Sequence, residues 1–268
     1  MWQHHLVKPG TKIRLNAIDA GGTKAFSGNK EKAEAVLSGL HGRLSQLQEL
    51  LYAEGKHKIL IVLQAMDTAG KDSTIRCVFQ GVNPQGVDVV RFKVPTLEEL
   101  GHDYLWRVHP HTPVNGKITI FNRSHYEDVV TVGVHNLVAA PLIEKRYGHI
   151  NDFERMLTDE GAVILKFFLH ISKDEQKRRI TERLDDPKKY WKFTLSDIHE
   201  RKSWSKYITA YERAISRTST PWAPWCVVPA NKKWYRNLII TQSIVDYLEQ
   251  MRMHYPKLAV NPKSVYFR

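Results

Sequence analysis

From Asn29 to about Ala53 the apolar residues Ala33, Val36, Leu37, Leu40, Leu44, Leu47, Leu50 and Leu51 recur three and four positions apart. A 3.6-residue period puts them on one face, which predicts a long amphipathic helix closed near Gly55. Beyond it the pattern changes. Short, β-branched apolar runs occupy 58–63, 87–92, 117–121, 162–171 and 225–228. Helical stretches, including 96–108 and 136–147, separate them. Strands alternating with helices predict an α/β fold with a parallel five-stranded sheet flanked by helices on both faces. In such sheets ligands sit at the carboxyl ends of the strands. Residues 1 to about 28 show little periodicity and read as an extended arm. The highly charged, largely helical stretch from 173 to about 217 falls between the fourth and fifth strands, an excursion over the sheet edge. With no internal repeat and no low-complexity linker, residues 1–268 read as a single domain: arm and long helix to about 57, sheet, and excursion at 173–217.

Composition narrows the partners. The chain has 40 Lys and Arg against 28 Asp and Glu, a formal net charge of +12. Such an excess points to a polyanion, whether nucleic acid, an acidic membrane or a phosphate-rich substrate, unless it merely keeps the surface solvated. The longest apolar runs are strand-length, well short of the ~20 residues of a membrane span. The start, Met-Trp-Gln-His-His-Leu-Val-Lys, lacks a signal peptide's apolar core. Two cysteines, Cys77 and Cys226, make no disulfide framework, and the expected setting is the cytoplasm.

The chemistry-bearing segment is Gln-Ala-Met-Asp-Thr-Ala-Gly-Lys-Asp-Ser-Thr, residues 64–74, directly after the first strand. It departs twice from the phosphate-loop pattern G-x-x-x-x-G-K-[ST]: Ala65 replaces the first glycine and Asp72 the metal-binding hydroxyl. Ala69-Gly70 followed by a helix start still offers backbone N–H groups to phosphate, and Lys71 a point charge. Ser73 or Thr74 is placed to supply the missing hydroxyl one or two positions late. Asp67 would repel phosphate unless a cation lay between, which points to Mg²⁺. The competing reading is a polar strand-to-helix turn capped by Asp72.

Lys-Ile-Thr-Ile-Phe-Asn-Arg-Ser-His-Tyr-Glu-Asp, residues 117–128, repeats this grammar at the third strand. Asn122 stands where a metal-holding carboxylate usually does, with Glu127 and Asp128 about one turn later. Arg123 is suited to bidentate contact with phosphate oxygens, whereas a lone His125 reads as a packing or hydrogen-bonding residue. In the excursion, Lys177, Arg178, Arg179, Arg183, Lys188, Lys189 and Lys192 crowd one short span. Glu175 and Glu182 are spaced to pair with Arg179 and Arg178, so this is either a solvated helix or a phosphate-closing lid. Trp191 either anchors that lid or packs.

Together these segments resemble the polyphosphate kinase 2 family over nearly the whole chain. The carrying motifs are Ala-Met-Asp-Thr-Ala-Gly-Lys (65–71), Phe-Asn-Arg-Ser-His-Tyr-Glu-Asp (121–128), Ser-Lys-Asp-Glu-Gln-Lys-Arg-Arg (172–179), Asp-Pro-Lys-Lys-Tyr-Trp-Lys (186–192) and Thr-Ser-Thr-Pro-Trp-Ala-Pro-Trp (218–225). Asn-Arg-Ser-His-Tyr-Glu-Asp, in place of the commoner Asp-Arg-Ser-Trp-Tyr-Asn-Arg, looks like the class III subgroup, which phosphorylates both AMP and ADP. The resemblance implies a P-loop kinase-type fold with a helical lid, polyphosphate as donor, reversible transfer, homo-oligomers and dependence on Mg²⁺, with Mn²⁺ as substitute. It implies a metal or phosphoryl role for Asp67, the loop lysine role for Lys71, and donor contacts from Arg123, Arg178, Arg179, Arg183, Lys188 and Lys192. Asn231 and Lys232 lie where related kinases wrap the base. Asn122 departs from the commoner aspartate, leaving Glu127 and Asp128 to compensate; Asn122→Asp is expected to be tolerated, since it adds a charge beside a cation. Two rivals stay open: an NTP-dependent nucleotide or nucleoside kinase, and a basic nucleic-acid-binding protein with a vestigial loop. No aromatic-rich RNA motif or zinc-finger spacing favours the second.

Overall fold

The computed structural model describes residues 1–261. Its centre is β1 (Lys58–Ala65), buried at every position after Lys58. Around it lie β2 (Val87–Arg91), β3 (Ile118–Asn122), β4 (Ala162–His170) and β5 (Trp225–Pro229), in the order β2-β3-β1-β4-β5 and parallel throughout. The chain leaves β1 toward the β2 edge, then returns through β3 and crosses to β4 and β5. Connections therefore diverge at the carboxyl end of β1, the crevice where such sheets bind ligands. Register brings the two candidate segments together there. Leu63 of β1 pairs with Asn122 of β3, and the Arg123 N–H donates to the Leu63 carbonyl at 3.2 Å.

The first helix, α1 (Lys30–Glu54), follows the sequence pattern closely. Asn29 caps it by accepting from the Lys32 N–H, and left-handed Gly55 (φ 65°) ends it. Ala33 and Leu37 pack with Leu238 of the last helix, which covers the same side of the sheet. The further helices are α2 (Lys71–Val78), α3 (Leu97–Leu100), α4 (Thr131–Val134), α5 (Ala140–Asp159), α6 (Lys173–Leu184), α7 (Leu195–Lys202), α8 (Trp204–Thr218) and α9 (Lys233–Gln250).

Three expectations change. The arm is not a free extended segment: the Val7 N–H donates to the Trp225 carbonyl (2.8 Å), and Leu6 bridges Cys226 antiparallel. Trp2 and Leu15 are buried, and the Trp2 indole donates to Asp246 (2.7 Å). Covering β5 in this way removes an exposed sheet edge. The stretch 96–108 is helical only over Leu97–Leu100, after which Arg107 is held by the Lys93 carbonyl (3.0 Å) in turns. The stretch 136–147 becomes helical only at Ala140, where Pro141 occupies the first turn; Asn136 before it is left-handed (φ 54°).

The excursion also divides. Its basic half (α6, α7 and the turn Pro187–Lys192) lies over the carboxyl end of the sheet, while α8 joins the core through Ile208, Tyr211, Ala214 and Ile215. Behind β3, Lys166 of β4 and Glu154 of α5 form a fully buried ion pair at 2.5 Å. Lys166 also donates to the Tyr126 hydroxyl (2.9 Å) and the Thr218 carbonyl (2.7 Å). Tyr126 donates to Glu154 at 2.8 Å, and His125 lies 3.3 Å from the same oxygen. His125 is fully buried in this network and faces no cleft.

Candidate active site

The loop between β1 and α2 is a tight turn closed by the Ala69 N–H donating to the Met66 carbonyl (3.2 Å). Ala65 still belongs to β1, so the residue at the first glycine position needs no left-handed backbone. Thr68 (φ 68°) and Gly70 (φ 99°) carry that conformation instead. Arg123, immediately after β3, is left-handed too (φ 63°), an uncommon geometry for a long side chain. It turns the guanidinium back across the strand ends, where Arg123 donates to Asp67 at 2.8 Å. Two strained non-glycine residues thus flank one point, as functional sites often show.

A cavity of about 280 Å³ opens at this point, lined by Asp67, Arg123, Glu127, Gln176, Glu200 and Tyr207 among others. Lys71, at the first position of α2, reaches the Ala65 carbonyl at 3.4 Å. Burial lowers its pKa, opposed by the nearby Asp67 and Glu127. For Arg123, burial also disfavours the charge, yet Glu127 and Asp67 overcome it and raise the pKa. Glu127 is firmly oriented: the Thr131 hydroxyl donates to one oxygen (2.6 Å). The Gln64 amide satisfies its neighbours with its nitrogen 3.1 Å from the other Glu127 oxygen and its oxygen toward Ser124. Three carboxylates, Asp67, Glu127 and Glu200, and the Arg123 guanidinium therefore line one cleft, with Lys71 within electrostatic reach of Asp67 and Glu127.

The remaining residues named from sequence divide in location. Asn122 donates to Asp72 at 2.6 Å, and Arg91 donates to the same Asp72 oxygen at 2.8 Å. Burial opposes the Asp72 charge, but these two donors hold its pKa below the usual range. An aspartate at 122 would bring a second carboxylate against Asp72, so the expected tolerance of Asn122→Asp does not fit the geometry. The Ser73 and Thr74 hydroxyls are committed to the Gly70 carbonyl, at 2.8 and 3.0 Å. Asp128 does not join Glu127, because the turn His125–Asp128 sends the two side chains apart. Its carboxylate is buried, with one oxygen unpartnered, and burial ahead of any neighbour raises its pKa to about 6. Of the two carboxylates of this turn, only Glu127 lines the cavity.

In the basic segment, Arg178 lies on the surface between Glu175 and Glu182. Arg179 is buried: it pairs with Glu175 (2.6 Å) and donates to the Ala69 carbonyl (2.7 Å) and the Ala230 carbonyl (2.6 Å). Arg183 is tethered to the Lys192 carbonyl (2.9 Å) and lies 3.5 Å from Asp197. Lys188 is exposed, and Lys192 lies over the exposed Trp191 ring at 4.9 Å, so Trp191 is not a core residue. Asn231 ties the exit of β5 to the start of α6 by bonds to Ser172, and Lys232 is exposed at the start of α9.

Sequence reasoning missed Gln176, Tyr211 and Arg236. Gln176 donates to the Asp67 carbonyl (2.9 Å) and Tyr211 to the Ala65 carbonyl (3.1 Å). Arg236 of α9, almost wholly buried, donates to the Ala69 carbonyl (3.2 Å). Gln176 lies inside the 172–179 segment but is its one neutral amide among charges that dominate the reading, whereas Tyr211 and Arg236 sit on helices read by their apolar period.

Among the described residues no three His, Cys, Asp or Glu side chains group to hold a metal ion. Mg²⁺ needs no such cage, since it takes one or two carboxylates and completes its shell with phosphates and water. Asp67 and Glu127 on one cavity fit that manner of binding. No helix is long and apolar enough to cross a membrane among the described residues.

The polyphosphate kinase 2 profile matches residues 27–256. The chain belongs to that family. An AMP/ADP-polyphosphate phosphotransferase of Meiothermus ruber is 57% identical over 251 residues, covering 94% of each chain. An ADP-polyphosphate phosphotransferase of Rhodopseudomonas palustris is 45% identical over 87% of this chain and 84% of its own. The crystal structure of polyphosphate kinase 2 from Arthrobacter aurescens superposes with a TM-score of 0.94 at 42% identity, covering 98% of this chain and 93% of that one. Fold and family thus agree with the resemblance, and this polyphosphate kinase 2 member is a phosphotransferase enzyme. Neither rival reading is favoured.

Proposed function

We propose that the protein transfers phosphoryl groups between inorganic polyphosphate and AMP or ADP, reversibly and with Mg²⁺ (or Mn²⁺), as a homo-oligomer in the cytoplasm. The convergence of Asp67, Arg123 and Glu127 on one cavity at the carboxyl end of β1, with Lys71 within electrostatic reach of both carboxylates, carries the reading. The activities for which the Meiothermus and Rhodopseudomonas relatives are named supply the substrates.

In the forward direction an acceptor phosphate oxygen forms a bond to the terminal phosphorus of the donor. The phosphoanhydride bond to the rest of the chain breaks, and the shortened chain leaves with the electron pair. The attacking oxygen is already ionised, so no general base is needed, and catalysis is positioning and charge neutralisation. Lys71 and Arg123 bring positive charge to the transferring group. Asp67 and Glu127 would hold Mg²⁺, which when bound offsets charge on the phosphate oxygens. Asp67 has a second task, because its bond to Arg123 aims the guanidinium across the cleft.

The test is direct. Incubation with long-chain polyphosphate, Mg²⁺ and AMP should give ADP first and ATP later, with no second enzyme. ATP as sole donor should be far poorer. Lys71→Ala should lower turnover about 10³-fold, the worth of one electrostatic contact to a transferring group. A folded Lys71→Ala protein with parental turnover, or ATP outperforming polyphosphate, would overturn the reading.

A further inference from the structure

The carbonyls from Ala65 to Gly70 are all held. Lys71 (3.4 Å) and Tyr211 (3.1 Å) donate to Ala65, and the Ala69 N–H to Met66. Gln176 donates to Asp67 (2.9 Å), Arg179 to Thr68 (3.5 Å), and Ser73 and Thr74 to Gly70. The Ala69 carbonyl receives two guanidinium groups, Arg179 at 2.7 Å and Arg236 at 3.2 Å. In a trans peptide the N–H points opposite the carbonyl of the same unit. Fixing the Ala69 carbonyl toward the arginines therefore turns the Gly70 N–H away from them.

The two arginines differ. Arg179 has a carboxylate partner in Glu175. Arg236 reaches only neutral oxygens among the described residues: Ala69, the Ser73 hydroxyl (3.4 Å) and the Asn237 side chain (2.8 Å). It is 1% exposed. Burial, then the neighbouring Arg179, pushes its pKa down to about 10. A buried cation with no counter-charge is costly to keep and is retained where something offsets the cost. Its closeness also constrains Gly70, because a Cβ there would stand 2.5 Å from the guanidinium.

We infer that Arg236 is a positioning residue for the phosphate cradle. It fixes the Ala69–Gly70 peptide and places behind the loop a positive charge that donor phosphates, not protein carboxylates, neutralise. This rests on the proposed polyphosphate reading. Arg236→Met removes the charge while Arg179 still holds the Ala69 carbonyl and Ser73 still bonds Gly70; of its acceptors only the half-buried Asn237 side chain loses its donor. Arg236→Lys keeps the charge but cannot reproduce the fork.

The experiment measures kcat and KM for polyphosphate and for AMP, the melting temperature of the free protein, and its rise with tripolyphosphate. For R236M we expect free-protein melting equal to or above the parent's and KM for AMP within about twofold. Its kcat/KM for polyphosphate should fall at least about tenfold, with a smaller tripolyphosphate-induced rise. R236K should keep most of that rise and lose kcat. Parental donor kinetics and parental tripolyphosphate response in R236M would overturn the inference. So would lowered melting of free R236M with parental donor kinetics, which is a purely structural role. Should R236M fail to fold, R236K decides alone: parental kcat overturns the inference and reduced kcat supports it. If the parent binds tripolyphosphate but transfers nothing to AMP, the proposed reaction fails, while the melting comparison still judges Arg236.

Discussion

Asn122 and Asp72 stand 2.6 Å apart, and each is a departure from a common phosphate-loop pattern. They make sense as a pair: an amide beside the Asp72 carboxylate donates a hydrogen bond where a second carboxylate would repel. Asn122→Asp should therefore lower turnover at pH 8 by roughly tenfold or more, because two carboxylates in contact cannot both ionise cheaply. Activity relative to the parent should recover as pH falls and the pair regains one proton. Adding Asp72→Asn should restore turnover at pH 8, and kinetics of the double variant matching the single one would refute the pairing. Asp128 makes a different prediction. Its folded pKa of about 6 lies above the ordinary carboxyl value, so its favourable contribution is complete below about pH 4 and is lost as pH rises through 6. Asp128→Asn should thus match the parent near pH 4 and be more stable at pH 7 by about 2 to 3 kcal/mol, read by urea denaturation. Its Mg²⁺ requirement should stay parental. A higher requirement would return Asp128 to the metal site.

At the scale of elements, the segment after β3 carries Arg123 and Glu127, and the Lys166–Glu154 network anchors it from behind. Burial lowers the Lys166 pKa against the pull of Glu154. Lys166→Met would leave Glu154 buried without its cation and should cost about 3 to 5 kcal/mol in denaturant unfolding. Adding Glu154→Gln should recover part of that loss. A single variant within about 0.5 kcal/mol of the parent would show the pair to be dispensable. None of this network was legible in the sequence, where Lys166 is one polar letter in an apolar strand and Glu154 one more charge on a helix. What could be read was whatever leaves a period or a fixed spacing: α1 with its Gly55 end, the five strands, and the loop before Lys71. The arm escapes such a reading because Trp2, Val7 and Leu15 are separate anchors with no period. Asp128 and Glu127 look like one group because sequence adjacency hides a 3-10 turn that parts neighbouring side chains. Arg236 goes unmarked because a buried charge on an apolar helix face resembles a surface residue until its partners are seen.

For the whole molecule, the excess of 40 basic over 28 acidic residues suggested a track for a polyanion, but much of the basic segment is already engaged within the protein. Arg179 supports the loop, Arg183 holds the turn to α6, Lys189 pairs with Asp186, and Arg178 is gripped by two glutamates. Lys188, and Lys192 above the Trp191 ring, are the cations of this stretch best placed to meet a passing phosphate chain. Charge that meets phosphate releases counterions, so its removal must flatten the salt dependence of donor use, whereas a general fall in net charge acts weakly through a screened field. The double variant Lys188→Gln/Lys192→Gln should lower the slope of log kcat/KM for polyphosphate against log salt by about 1.4, at ~0.7 for each of the two phosphates no longer neutralised. The slope for AMP should not move. Arg178→Gln removes one unit of charge from the same segment but should change the donor slope by less than half as much. If Arg178→Gln flattens it as strongly per charge, the basic segment acts as a diffuse field and the track along residues 187–192 does not exist.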